Sequence, residues 1–295
     1  MNRKLRFSNK LLRYAQDSVK LKFSVYVFVI VHYICIAMAI ITLTTDWSNN
    51  DFYTGAIKGL IYSKCPSANV VEITNNITSC HSADAAFVLR HAFHHFPAGT
   101  IHLLCVNGEI THDRIPLCVC YKGHFFIGDD TKAFSVLFDD EPETVFALKP
   151  DKFSISTFPE LTIFAQAACM LANGAQPSDF GDDVTGQLPV LHLSPSFTAN
   201  TISGSVIYID SYQNAITDIT RKLFYQVCGD RRFEIVLKHE NNKITRISRT
   251  YSDVRDGELV AIFNSLGLLE IAQRNSRLAE LFKIDRKTTV LVKVL

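Results

Sequence analysis

The sequence predicts an α/β protein with two domains: an amino-terminal α/β domain and a small carboxy-terminal β-barrel. From Ala39 to about Gly181, strand-like apolar runs alternate with helix-like segments, which is typical of βαβ units. From about Leu188 onward, strand-like segments dominate, and they are separated by turn signals such as Asn-Asn and Asp-Gly. A chain of 295 residues is long enough to form both domains and their cores. We therefore assign residues 38–181 to the first domain and 188–295 to the barrel.

The first domain opens with the run IITLTTDW. This run has the apolar content of a buried parallel strand, and it ends in polar residues, where α/β proteins usually build ligand sites. The next segment, FYTGAIKGLIYSKCP, predicts a helix because the apolar residues Ala56, Leu60 and Ile61 keep helical spacing and Pro66 stops it. VVEIT predicts a second strand. Ser82 is the expected N-cap of the helix ADAAFVLRHAFHHF.

The remaining segments complete a Rossmann-like domain and the barrel. TIHLLCVN predicts a strand, PLCVCYKG and HFFIGDD a hairpin, and SVLFDD and TVFALK two more strands. LTIFAQAACMLANG predicts a helix with Phe164, Ala167 and Leu171 on one stripe and Gly174 as its stop. The predicted barrel elements are SGSVIYIDSYQNAITDI, RRFEIVLKHE, KITRISRTY, ELVAIFNS, a short helix SRLAELFKI and a final strand TTVLVKVL.

Composition excludes several classes of function. A formal net charge of +1 gives no field that would attract nucleic acid, and the folded region carries no Lys/Arg stripe, so we expect no nucleic-acid partner. Most of the eight cysteines lie in apolar runs, which favours free thiols and a cytoplasmic protein. His91, His94 and His95 have spacings compatible with a metal face, but a solvated cluster is the better interpretation, so we expect no metal.

The first 37 residues need a separate interpretation. A basic stretch precedes the apolar run FSVYVFVIVHYICIA, which is shorter than the 18 to 20 or so residues that a membrane span needs. It reaches that length, over about residues 23–41, only by including part of the first predicted strand. Three interpretations remain open: a membrane anchor or signal sequence, an extra helix, or a start assigned upstream of Met38. A membrane location is expected only if this extension is genuine.

Six segments, in order along the chain, resemble the motifs of one known family. The first is TTDWSNNDFYTGAIKG, with a strand ending in Thr-Thr-Asp, an aromatic residue and a Tyr-x-Gly helix start. The next three are VVEITNNI, HFPAGTIHLLCVN and IFAQAACMLANG. In the second domain, VIYIDSYQNAITDI is similar to Asp-x-Phe-Gly-Asn-x-x-Thr-Asn, and FNSLGLLEIA to Ser-x-x-x-Leu-Glu-Ile-Ala. Over nearly everything after Met38, the chain resembles the S-adenosyl-L-methionine (SAM) hydroxide adenosyltransferase family.

The resemblance implies a fold, an assembly and an activity. Members of this family are homotrimers of an α/β domain and a β-barrel, with the ligand between one subunit's first domain and its neighbour's second. They cleave SAM at C5′ of the ribose, by attack of water, hydroxide or, in relatives, a halide. The expected partners are therefore SAM or adenosine and two further copies of this chain. SAM is the substrate, and no cofactor is expected.

The resemblance also implies roles for individual residues. Asp46 matches the ribose-binding Asp, since a carboxylate can accept both hydroxyl protons of a diol. Asn214 offers the paired donor and acceptor that adenine needs, and Asp210 is assigned to the methionine ammonium. The other matching contacts in the barrel are Ser265, Glu270 and Gln273. For Asp46 the alternative is a strand-end or N-cap residue. For Ser265 and Glu270 it is a strand-end serine and a surface glutamate.

The catalytic positions depart from the family pattern. The family surrounds the attacking water with an Asp, an Arg and a His; here these positions hold Asn107, Arg114 and Pro159. An amide cannot accept a proton as a carboxylate does, and a proline cannot relay one. The candidate substitutes are the polar loop residues Glu109, His112 and Asp113, for which the alternative interpretation is solvated side chains.

Hydrolysis of SAM to adenosine and L-methionine is the leading prediction. Positioning alone contributes much to the in-line displacement of a good leaving group, so the missing groups would slow the reaction rather than prevent it. Two alternatives remain: a non-catalytic protein that binds SAM or adenosine, and a halide-using relative.

Overall fold

The structure is a computed structural model that describes residues 38–108, 114–129, 132–149, 153, 157–191, 194–237 and 243–295. The residues before Met38, with the apolar run discussed above, lie outside the described ranges. The first domain is built on a seven-stranded sheet. Its strands are β1 (Ile40–Thr45), β2 (Asn69–Thr74), β3 (Ile101–Cys105), β4 (Pro116–Tyr121), β5 (His124–Asp129), β6 (Thr144–Leu148) and β7 (Gly181–Asp183).

The sheet has the order β2-β1-β3-β5-β4-β6-β7. Strands β2, β1, β3 and β5 run parallel, whereas β4, β6 and β7 extend the sheet in antiparallel pairs. Both faces of strand β1 are buried: Ile41 and Leu43 lie on one face, Thr42 and Thr44 lie on the other, and all four are fully buried. The carboxyl ends of β1, β3 and β5 therefore meet at one edge, which is where the candidate site lies.

Four helices pack on this sheet. Their bounds are α1 (Tyr53–Lys64), α2 (Ser82–Ala92), α3 (Lys132–Leu137) and α4 (Ala165–Ala172). A single π-helical turn, Glu160–Phe164, leads directly into α4. Helix α4 ends at Ala172. Its C-cap, Asn173, is followed by Gly174, which has a φ of +92° and is the stop that the sequence predicts.

The second domain is an antiparallel, nearly closed barrel. Its strands are β8 (Ser196–Phe197), β9 (Thr201–Ile209), β10 (Ala215–Thr220), β11 (Phe233–Leu237), β12 (Lys243–Ile244), β13 (Leu259–Phe263), β14 (Leu268–Gln273) and β15 (Thr289–Val294), with helices α5 (Arg221–Cys228) and α6 (Leu278–Phe282). The strands follow the order β12-β11-β15-β9-β10-β14-β13, with β8 paired to β9. The N–H of Ser248, which follows β12, donates to the carbonyl of Ala261 on β13 at 2.8 Å and brings the two ends of the sheet together.

The predicted fold class is confirmed, but three local predictions are wrong. The first three residues of SVLFDD lie in helix α3, where Phe134 and Leu137 are fully buried, and its last three lie in no helix or strand. A short apolar run does not distinguish strand from helix. Ser82 is the first residue of α2 rather than its N-cap, and no side chain caps that helix. Helix α5 is absent from the prediction, although Thr220 caps it by accepting from the N–H of Leu223 at 3.2 Å.

Side chains connect the two domains. Arg286, before β15, forms an ion pair with Asp84 in α2, and its guanidinium lies 2.9 Å from Nδ1 of His81. Phe87 in α2 stacks on Tyr208 of β9, with ring centroids 4.5 Å apart. In the part of the chain that the structure describes, no helix is both long and apolar enough to cross a bilayer.

Candidate functional site

Polar residues from several strands meet at one edge of the first sheet. Asp46 follows β1 and Asp129 ends β5, while Asn107 and Gly108 follow β3. Because these three strands are parallel, their carboxyl ends share an edge. Strand β4 runs antiparallel beside β5, so Arg114, which precedes β4, lies at the same edge. The structure thus brings together three of the predicted site residues from distant parts of the sequence.

Arg114 and Asp129 form an ion pair at this edge. Their side chains are 19% and 5% exposed, so the pair is largely desolvated. Asn107, the other predicted catalytic residue, is exposed and has a φ of +54°, a conformation that asparagine tolerates better than most residues. Arg114 and Asn107 line a cleft of about 520 Å³ together with Cys80, His81, Ser82, Ala83 and Lys132.

Asp46 is half-buried and is held by the backbone. Its Oδ2 accepts a hydrogen bond from the N–H of Cys80 at 3.0 Å. This contact fixes the carboxylate at the mouth of the site, since Cys80 itself lines the cleft. The position is compatible with the predicted contact to a ribose diol, which stays a prediction.

Glu160 is the acidic residue that the sequence analysis missed. It opens the π-helical turn before α4 and is only 4% exposed. A Cβ built on Gly108 would lie 1.9 Å from Oε1 of Glu160, so the carboxyl group lies directly against the loop that follows β3. The signal in the sequence is an acidic residue in the mostly apolar run FPELTIF. It directly follows Pro159, which stands where the family has a histidine.

The surroundings of Glu160 shift its titration. Burial has the largest effect on the pKa of Glu160 and raises it, and the carboxylates of Asp129 and Asp46 also raise it. A backbone hydrogen bond and the guanidinium of Arg114 lower it, and the resulting pKa is about 7. Cys105, fully buried at the end of β3, has its thiol pKa raised by burial and by the same three carboxylates. The charges of Asp46, Asp129 and Arg114 therefore all act on Glu160 at this edge.

Three aromatic rings adjoin the acidic edge. The ring of Trp47, next to Asp46, lies 5.8 Å from that of Tyr53 and 5.4 Å from that of Phe158, measured between centroids. Tyr53 and Phe158 are 5.1 Å apart and meet edge to face. Aromatic faces attract cations, so this group is suited to hold a positively charged ligand beside the carboxylates.

The barrel contributes a second group of predicted residues. Asn214 is 7% exposed, and its Nδ2 donates to Oδ2 of Asp210 at 3.1 Å. The backbone N–H groups of Tyr212 and Asn214 donate to Oδ1 of Asp210 at 2.9 and 2.8 Å. Asp210 thus fixes the loop between β9 and β10 and orients the amide of Asn214. Its assignment to an ammonium group stays a prediction.

Asp210 and Asn214 share a cleft of about 900 Å³ with Gln273, the last residue of β14. Nε2 of Gln273 donates to the carbonyl of Gly257 at 2.8 Å. Its Oε1 is buried and has no hydrogen-bond partner among the described residues. A buried amide oxygen of this kind can accept a bond from a ligand in the cleft.

Glu270 and Ser265 border an adjoining cleft of about 530 Å³. Glu270 is 3% exposed and accepts hydrogen bonds from the hydroxyl of Tyr251 and, at 3.1 Å, from Nδ2 of Asn264. Glu270 is therefore not the surface residue that the alternative interpretation supposed. Ser265 is exposed at the rim. Tyr251 lines both barrel clefts, so the predicted barrel residues form one continuous region.

The clefts that hold predicted site residues belong to separate domains within one chain. First-domain residues alone line the cleft with Asn107 and Arg114, and barrel residues alone line the cleft with Asn214 and Gln273. Glu109, His112 and Asp113, the proposed local substitutes, lie outside the described residues. Over the described ranges, no group of three His, Cys, Asp or Glu residues is placed to hold a metal ion.

Comparisons with known proteins agree with this organisation. Residues 41–181 match the family described as the SAM hydroxide adenosyltransferase N-terminal domain, and residues 204–291 match its C-terminal domain. A protein of Thermus thermophilus named (R)-S-adenosyl-L-methionine hydrolase is 27% identical, over 77% of this chain and 89% of its own length. A protein of Methanocaldococcus jannaschii with the same name is 24% identical, over 83% and 92%.

A solved structure supports the fold independently. An uncharacterized conserved protein from Thermotoga maritima superposes with a TM-score of 0.76, covering 86% of this chain and 99% of its own, at 24% identity. This likeness concerns the architecture of the α/β domain and the barrel. Together the two domain matches cover most of the sequence, and the chain therefore belongs to the SAM hydroxide adenosyltransferase family.

Proposed function

We propose that this protein hydrolyses SAM to adenosine and L-methionine. A lone pair of the water oxygen forms the new bond to C5′ of the ribose, and the C5′–S bond breaks with its electron pair going to sulfur. The sulfonium becomes the neutral thioether of methionine, and water loses one proton. Family membership and relatives named as SAM hydrolases support this reaction. The substrate itself supplies the leaving group.

The observation that carries the proposal is the acidic edge of the first sheet. Asp46, Asp129 and Glu160 lie there, and Arg114 is paired with Asp129. Carboxylates stabilise a nearby cation, and the aromatic group of Trp47, Tyr53 and Phe158 adds to that preference. A sulfonium ligand therefore fits this edge better than an anionic ligand would.

The test of this function is incubation of the purified protein with SAM, with chromatographic detection of adenosine and methionine. Equal formation of both, above the rate in buffer, supports the proposal. Asn107 favours a second function, binding without turnover, because it lacks the carboxylate that takes up a proton. Adenosine binding in calorimetry, with SAM left intact, would select that second function.

We also propose a homotrimer in which one subunit's acidic edge faces the barrel cleft of its neighbour. The two clefts support this arrangement, since each is lined by one domain only. Three copies of the 33.1 kDa chain would give a molecular mass of about 99 kDa in analytical ultracentrifugation. Mixing refolded Asp46→Asn and Asn214→Ala subunits would restore part of the activity if neighbours share each site. Restoration would not occur if each chain formed its own. We propose a cytoplasmic location, which the apolar surroundings of most cysteines favour.

A further inference from the structure

The reaction releases a proton, and the residues that the family uses to take it up are missing here. Asn107 carries an amide instead of a carboxylate, and Pro159 has no side chain that can bind a proton. In a chain that hydrolyses SAM, another group at this edge can take up that proton. Two acids near the loop after β3 are already engaged: Asp129 pairs with Arg114, and Asp46 accepts from the N–H of Cys80.

Glu160 carries a carboxyl group that adjoins the loop after β3. It follows Pro159 directly, and its carboxyl group rests against Gly108, the residue after Asn107. It therefore adjoins both positions at which the family pattern is interrupted. Glu160 is the first residue of the π-helical turn Glu160–Phe164. Single π-helical turns within helices occur frequently at functional sites.

The charges around Glu160 come from every element packed at this edge. Asp46 faces it from β1, the thiol of Cys105 from β3, Asp129 from β5 and Arg114 from the segment before β4. The two carboxylates disfavour ionisation of Glu160, and the guanidinium favours it. With burial, the balance raises the pKa of Glu160 to about 7, so the carboxyl group can both take up and release a proton near neutral pH.

We propose that Glu160 is the general base of this enzyme and accepts the proton of the attacking water. This inference rests on the proposed hydrolysis of SAM. As the water oxygen bonds to C5′ and the C5′–S electron pair moves to sulfur, one water proton passes to a carboxylate oxygen of Glu160. Glu160 then releases that proton to solvent, and the 5′-hydroxyl of adenosine keeps the other. Arg114, which forms an ion pair with Asp129, is a positioning residue beside the base.

The direct test compares wild type with Glu160→Gln, which keeps the shape and removes the base. We expect kcat to fall by about 10²- to 10⁴-fold, the usual contribution of a positioned base. KM and the Kd for adenosine should stay within about threefold, because a base acts on the chemical step. The matched control is Glu141→Gln, at an exposed glutamate of the same domain, which should keep full activity.

The pH profile separates a catalytic role from a structural one. In the wild type, kcat/KM should rise with pH through about 7 as Glu160 of the free enzyme ionises, and this rise should be absent from the Gln variant. A Gln variant that keeps kcat within threefold of wild type, or keeps the same rise with pH, would overturn the assignment. If wild type forms no adenosine, the proposed hydrolysis itself fails. Only the role of Glu160 fails if wild type and variant are equally active.

A second variant guards against misfolding of Glu160→Gln. In Gly108→Ala the new methyl group would overlap Oε1 of Glu160, so the flexible carboxyl group has to move while its chemistry stays intact. We expect a loss of at least tenfold in kcat with an unchanged thermal midpoint. Gly59→Ala, in helix α1 with nothing within 4 Å, is the control and should be fully active. Full activity of Gly108→Ala would count against a base at Glu160.

Discussion

At the scale of single residues, Glu160 couples the site to the stability of the fold. Its carboxyl group is buried, and its pKa is raised from 4.5 to about 7. Below pH 4.5 the group is protonated in both the folded and the unfolded chain. As pH rises to 7, the unfolded chain ionises first, so the folded state loses stability over this interval. The shift corresponds to about 3 kcal/mol.

We therefore expect Glu160→Gln to become relatively more stable as pH rises. The difference in unfolding free energy between variant and wild type should increase by about 3 kcal/mol from pH 4.5 to pH 8, since the amide does not ionise. Urea denaturation of both proteins at a series of pH values measures it. A difference that does not change with pH would show that Glu160 ionises as an ordinary carboxyl group.

Asp46 gives the second prediction at this scale. Replacing its carboxylate by the amide in Asp46→Asn removes a charge-assisted acceptor, which contributes about 1.5 to 3 kcal/mol. Adenosine should bind about tenfold to a hundredfold more weakly, as measured by calorimetry. The control, Asp51→Asn, changes an exposed carboxylate in the same loop and should bind normally. Unchanged affinity in Asp46→Asn would exclude the ribose contact.

Glu160 also shows why sequence analysis found only part of the site. Asp46, Arg114 and Asn214 stand out because they lie in motifs that the family shares. The importance of Glu160 depends on its burial, on its proximity to Gly108 and on the charges of Asp129 and Asp46, all of which are distant in sequence. Such a position can be found only once the fold brings those segments together.

At the scale of elements, the strands were easier to predict than the short helices. Buried strands such as β1 and β3 can be predicted from short runs rich in apolar residues. Helix α3 has only six residues, so its apolar run was mistaken for a strand. Helix α5 carries polar residues on one face, as a surface helix does, and its sequence RKLFYQVC has no long periodic signal.

The β9–β10 loop gives a prediction at this scale. Asp210 accepts the N–H groups of Tyr212 and Asn214 and the side-chain amide of Asn214. In Asp210→Ala these donors lose their acceptor, so we expect a loss of about 1 to 2 kcal/mol in stability and weaker adenosine binding. Thermal unfolding and calorimetry measure the two effects. If adenosine affinity were unchanged, the orientation of Asn214 would not matter for binding.

At the scale of the whole molecule, an ion pair connects the two domains. Asp84 is 3% exposed and pairs with Arg286 of the other domain, and burial already raises the pKa of Asp84. Arg286→Ala leaves that carboxyl group buried and unpaired, so we expect a loss of about 3 kcal/mol in unfolding free energy.

The control for this contact is Arg277→Ala. Its ion pair with Glu280 is exposed, and its loss should change stability by less than about 0.5 kcal/mol. Denaturant unfolding compares the two variants. Equal stability of the Arg286 and Arg277 variants would mean that the contact between domains contributes little.

The whole account depends on water attacking C5′ of a bound SAM molecule. The most direct measurement is turnover of SAM in ¹⁸O-labelled water, followed by mass spectrometry of the products. We predict adenosine with one ¹⁸O atom in its 5′-hydroxyl group and unlabelled methionine. Unlabelled adenosine, a halogenated nucleoside or the absence of any cleavage would contradict it.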